Sequence, residues 1–169
     1  MKNKILPTII LVAICMTVTL LLSAINTVTE PIIAAANEAR VQAALSEVLP
    51  TGENFVEIST DKLAKEVIGA YTEDNGGYVF QIEVTGYKSG LKIMCGINAD
   101  GKISGASVIA SKETLSAEKE LGSSYVGKDT SNLAPEIVTS ATLTSNAYHK
   151  AVQIALESFK ALAEKEGIS

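Results

Sequence analysis

Histidine occurs once in the 169 residues, tryptophan never and cysteine twice. These scarcities exclude much chemistry. One histidine cannot build the ligand set of a zinc centre, and Cys15 and Cys95 form no CxxC or Cys/His group for zinc or an iron–sulfur cluster. The two cysteines cannot pair either, because Cys15 falls in a long apolar run and Cys95 in a segment of alternating polarity. A Ser/His/Asp arrangement would have to pass through His149, which reads as a surface residue of a helix. There is no GxGxxG or Walker loop and no paired-carboxylate pattern, and Glu118, Glu120 and Asp129 read as solvated. Aromatic residues make up only 5% of the chain, so a core must come from Ile, Val, Leu and Ala, with Cys95 acting as a small hydrophobe.

Charge is also missing, but only locally. Lys2 and Lys4 are the sole charges before Glu30, and Ile5 to Thr29 carries none. As a helix, that run reaches about 37 Å at ~1.5 Å per residue, enough for a hydrocarbon core of about 30 Å. Lysines before the run and acids after it place Met1 in the cytoplasm and the remainder outside the cytoplasmic membrane, by the positive-inside rule. A cleaved signal peptide is the alternative. Its apolar core would span roughly 7–15 residues and end in an A-x-A-like site, which Leu22-Ser23-Ala24 matches poorly. A lipoprotein site at Cys15 is excluded by the preceding Ile14 and the apolar stretch that follows. A pilin is excluded by the lack of a Gly-Phe junction and of a glutamate early in the apolar helix. From Glu30 onward, all 19 acids face 12 of the 14 bases, a net charge of −7. An acidic domain without basic clusters is unsuited to nucleic acid or anionic lipid.

Patterning predicts an α+β fold: a transmembrane helix, then a small domain with an antiparallel sheet packed by helices. The divisions are 1–29 for the cytoplasmic end and the span, 30–66 for a membrane-proximal helix and linker, and 67–169 for the domain. Glu30-Pro31 marks the membrane exit, with proline suited to a first helical turn, and Ile32 to Val48 reads as helix, separate from the span or continuing it with a bend. Tyr78, Phe80, Ile82 and Val84 then alternate with polar or smaller neighbours, as do Leu91, Ile93, Cys95 and Ile97. Asn98-Ala99-Asp100-Gly101 is a hairpin turn leading to a strand over 102–110, and Val67 to Thr72 precedes them, giving a four-strand meander with one buried face. Ser111 to Pro135 shows no period. Tyr148, Val152, Ala155, Phe159 and Leu162 recur at helical spacing opposite Lys150, Gln153, Glu157, Lys160 and Glu164, the pattern of an amphipathic helix packed on the sheet.

Directly before that helix stands Thr139-Ser140-Ala141-Thr142-Leu143-Thr144-Ser145-Asn146. Two roles suit a hydroxyl-rich segment there. Thr144 or Ser145 would cap the helix's free N–H groups. Alternatively, the helix start holds an anion such as phosphate, with small residues allowing close approach.

Residues 139–145 resemble the S-G-A-T-x-T-S flavinylation motif of the FMN-binding domain shared by the G component of the Rnf electron-transport complex and the C component of the sodium-pumping NADH:quinone reductase. The likeness extends to Gly86-Tyr87, to Gly96-Ile97-Asn98 and Asp100-Gly101-Lys102-Ile103-Ser104-Gly105, to Glu113-Thr114, and to Thr29-Glu30-Pro31 and Ala44 to Pro50, in order along nearly the whole chain. The resemblance implies FMN joined by a phosphoester to Thr142, with Thr139, Ser140, Ala141, Thr144, Glu113 and Thr114 lining the flavin. It implies a flavin transferase that uses FAD for maturation, other membrane subunits of a redox complex as partners, and an electron carrier that is not catalytic on its own. Within that frame the expectation is the G component of an Rnf-type ferredoxin:NAD oxidoreductase that moves ions. A stand-alone tethered FMN carrier, or a flavin-free extracytoplasmic binding module, are the alternatives. Two positions depart from the family. Ser140 replaces glycine, which is costly if φ is positive there. Ser111-Lys112-Glu113-Thr114-Leu115-Ser116 lacks the histidine and Pro-Gly turn of H-x-E-T-P-G-L-G.

Overall fold

In the computed structural model, the described residues are 2–112 and 118–166. Helix α1 spans Lys2–Val48 and contains Pro7 and Pro31. Pro31 therefore lies inside one continuous helix instead of in the first turn of a new one. The chain divides into two compact units, Met1–Arg40 and Val41–Ser169. In the first unit the apolar side chains from Ile9 to Ile33 are exposed, as suits a helix meant for hydrocarbon. Four of its hydroxyls bond within the helix: Thr17, Thr19, Thr27 and Thr29 each donate to the carbonyl four residues back, at 2.8–2.9 Å. Among the described residues, α1 is the one helix long and apolar enough to cross a membrane. Such a helix near an N-terminus serves as an anchor or a signal sequence.

The second unit is a five-stranded antiparallel meander in chain order, with helices on it. The strands are β1 (Val56–Ile58), β2 (Val67–Thr72), β3 (Tyr78–Thr85), β4 (Ser89–Ile97) and β5 (Ile103–Ala110). Turn chemistry sets their register. Between β2 and β3 the buried Glu73 carboxylate accepts the Asn75 and Gly77 N–H groups at 2.9 and 3.0 Å. Between β4 and β5 the Asn98 side chain accepts the Lys102 N–H at 2.9 Å, with Gly101 at φ 74°. The four expected strands are present, and the three-residue β1 adds an edge.

One face of the sheet carries the alternating set Tyr78, Phe80, Ile82, Leu91, Ile93, Cys95 and Ile97, all buried. Helix α3 (Thr142–Glu166) packs on it through Tyr148, Ala151, Val152, Ala155 and Leu156, and Phe159 meets Tyr78 edge-on at 5.7 Å. The expectation of a single buried face is corrected by the other side. Val79 and Met94, which alternate outward, are fully buried against Ala44, Leu45, Val48 and Leu49 at the end of α1. Glycine permits that approach: a Cβ on Gly96 would fall 2.4 Å from the Val48 carbonyl oxygen, and one on Gly105 2.8 Å from Val48 Cα. Ser104 Oγ donates to the same carbonyl, and Ser107 Oγ to Glu47 Oε1 at 3.1 Å. Within the stretch that showed no period, helix α2 (Glu118–Ser124) packs on β5 and α3, burying Leu121 and then Tyr125 just beyond its end.

Candidate functional site

The approach to α3 is a tight turn. Ala141 N–H donates to Val138 C=O at 3.0 Å, and between them Ser140 sits at φ 70°. This is the left-handed region, where a side chain is costly and glycine is not. The structure thus meets the condition under which Ser140 is an expensive replacement.

Ser145 N–H then donates to Ala141 C=O at 2.9 Å, the first bond of the helix, which makes Ala141 the capping residue. Alanine has no side-chain acceptor, so neither Thr144 nor Ser145 occupies the cap position expected of them. The Ser145 hydroxyl, fully buried, accepts the Val138 N–H at 3.1 Å and donates to Ala141 C=O at 2.9 Å. The sequence singles out Ser145, but in the wrong role: its place in the motif is visible there, and its two partners are not. Thr139, Ser140 and Thr142 are exposed, and Thr144 is buried. Thr142 is the first residue of α3, followed by Leu143, which is 61% exposed.

The electrostatics of this helix start favour an anion. The dipole leaves partial positive charge at the first N–H groups. Although the chain is acidic, residues 137–156 contain no Asp or Glu, and the acid that precedes them in sequence, Glu136, is paired with Lys128 at 2.6 Å.

A second feature lies along β5. A cleft of about 570 Å³ is bounded by Glu47, by 106–111 and by Gly122 and Ser123. Glu113 and Thr114 belong to the connection between β5 and α2 and lie outside the described residues. Gly122 forms part of the cleft wall; a Cβ on it would fall 2.2 Å from the Ala106 carbonyl oxygen and 3.2 Å from the Tyr148 hydroxyl. That hydroxyl is buried with no hydrogen-bond partner among the described residues, and burial raises its pKa far above the ordinary tyrosine value.

His149 is half-buried, not a plain surface residue. Its Nδ1 lies 3.3 Å from the Tyr125 hydroxyl, which accepts the Glu136 N–H at 3.2 Å. Tyr125 stacks on Tyr148 at 5.7 Å, and Lys128 Nζ sits 5.1 Å from its ring centre. Burial, then the Lys128 charge, lowers the His149 pKa. Burial pushes the Cys95 thiol up to about 12, so it is inert as a nucleophile. Among the described residues no group of His, Cys, Asp and Glu could hold a metal ion.

Comparison with known proteins bears on this same region. Residues 86–157 match the family model of the FMN-binding domain, a segment running from Gly86 through β4, β5 and α2 into α3. No curated protein matches the chain. The residues present fit FMN at its phosphate end: an exposed hydroxyl at a helix start, free of nearby acids in sequence, beside small residues. The orphaned Tyr148 hydroxyl behind Gly122 is a further polar group whose partner is not found among the described residues.

Proposed function

We propose that this chain is a membrane-anchored flavoprotein carrying FMN as a phosphoester on Thr142, passing electrons within an Rnf-type ion-translocating ferredoxin:NAD oxidoreductase as its G component. The observation that carries this is the exposed Thr142 at the first position of α3, inside the segment that matches the FMN-binding domain. Thr142 would hold the cofactor, and the first-turn N–H groups would take its phosphate charge, with Thr139, Ser140, Ala141 and Thr144 beside it and Glu113 and Thr114 toward the flavin. Bound flavin supplies the redox chemistry, and the protein positions and tunes it. An electron carrier of this kind needs no catalytic base. Covalent attachment keeps the cofactor from diffusing away outside the cell.

The apolar helix suits an uncleaved anchor, and Lys2 and Lys4 favour a cytoplasmic N-terminus with the domain outside. Other membrane subunits would then be the electron partners, and a flavin transferase would mature the protein. A stand-alone tethered carrier would use the same site. A flavin-free binding module is the second reading, favoured by Ser140 at φ 70° where the motif has glycine. Co-expression with an active flavin transferase separates them: an in-gel fluorescent band that Thr142→Ala abolishes supports attachment, and an unlabelled wild type favours the module. Co-purification of the labelled chain with membrane redox subunits tests the Rnf assignment.

A further inference from the structure

Two buried serines in α3 make the same local bond. Ser145 Oγ donates to Ala141 C=O at 2.9 Å and Ser158 Oγ to Ile154 C=O at 2.7 Å, each turning back four residues along the helix. Only Ser145 does more, accepting the Val138 N–H from the turn ahead of the helix at 3.1 Å. One hydroxyl therefore ties Val138 to Ala141, beside the backbone bond that already links them at 3.0 Å. The residue held between these two links is Ser140 at φ 70°, and the residue that follows them is Thr142.

We infer that Ser145 is a positioning residue for the modification of Thr142; the inference rests on the proposed flavin attachment. A helix start is ordinarily secured by a side chain at the cap, which accepts an N–H of the first turn. Here the cap is Ala141, and a hydroxyl at that position would engage the N–H groups an incoming phosphate needs. Ser145 secures the start from within the helix. Its bonds go to Val138 N–H and Ala141 C=O, and draw on none of the first-turn donors. The arrangement separates order at the helix start from occupation of its anion site.

The step it serves is a group transfer from a flavin dinucleotide. Thr142 Oγ forms a bond to the flavin-side phosphorus of FAD, the pyrophosphate P–O bond breaks, and AMP leaves with the bridging oxygen. The threonine proton passes to the transferase or to solvent. A hydroxyl on a frayed turn would reach the phosphorus less often, without binding the transferase more weakly.

The test uses full-length protein in detergent, purified flavin transferase and FAD, with initial labelling rates followed by in-gel fluorescence and unfolding temperatures measured in parallel. Ser145→Ala should lower kcat for labelling about tenfold or more with KM little changed. Ser145→Thr should restore most of the rate, and Ser158→Ala should label as wild type. Ala141→Ser should unfold at higher temperature and yet label more slowly, which a merely structural role would not produce. Wild-type labelling by Ser145→Ala, or rates that follow unfolding temperature across all four variants, would overturn the inference and leave the attachment standing. A wild type that takes no label overturns the attachment itself, and the inference with it.

Discussion

Ser140 adopts φ 70° in a turn closed on both sides, so it remains left-handed at a cost that a glycine would not bear. Ser140→Gly is expected to raise stability by about 1 kcal/mol, read from urea unfolding of the full-length protein, and to leave flavin labelling intact or faster. A loss of labelling would show that the serine is needed and not merely tolerated. This strain was legible in sequence only as a condition, since a serine in a hydroxyl-rich stretch gives no sign of its φ until the turn is seen. His149 makes a separate prediction. Its folded-state pKa lies below the ordinary value of 6.5, because burial and Lys128 disfavour the cation. Its contribution to stability is thus fully present above pH 6.5 and is lost as pH falls from there through the folded-state value. Urea midpoints of wild type should drop more than those of His149→Gln between about pH 7.5 and about pH 5, and equal drops would contradict the sign.

At the scale of elements, the sheet and the last helix were readable because period two and period 3.6 are imposed by burial on one face. What the pattern could not convey was the second covering of the sheet. Alternation assigns Val79 and Met94 outward, and outward they point, but Ala44, Leu45 and Val48 lie over them. Gly96 and Gly105 were the sequence trace of that contact, visible only as parts of a motif. Helix α2 escaped notice because it is only seven residues long, its buried Leu121 stands alone in the sequence pattern, and its anchor Tyr125 follows the helix end. Substituting alanine for Gly96 or Gly105 should therefore destabilise by about 1–3 kcal/mol, through overpacking against Val48 backbone that cannot move aside. Urea unfolding checks this, with Gly127→Ala as a contrast, since nothing lies within 4 Å of a Cβ there and only its φ of 79° opposes the change.

For the whole molecule, the apolar helix and the flavin site have one purpose under the proposed function, to hold a redox ring beside membrane-bound partners. Protease added to intact spheroplasts should then degrade the domain, and sealed inverted vesicles should protect it; the reverse pattern would invert the topology. The most direct measurement is the intact mass of full-length protein co-expressed with an active flavin transferase. Wild type should gain the mass of FMN less one water, located on Thr142 by peptide mapping. Thr142→Ala should gain nothing while keeping its fold, because changing an exposed helix side chain that is not the cap shifts stability by only about 0.5 kcal/mol. Wild-type protein at its unmodified mass, from cells whose transferase labels a control flavoprotein, would contradict the flavin-carrier function.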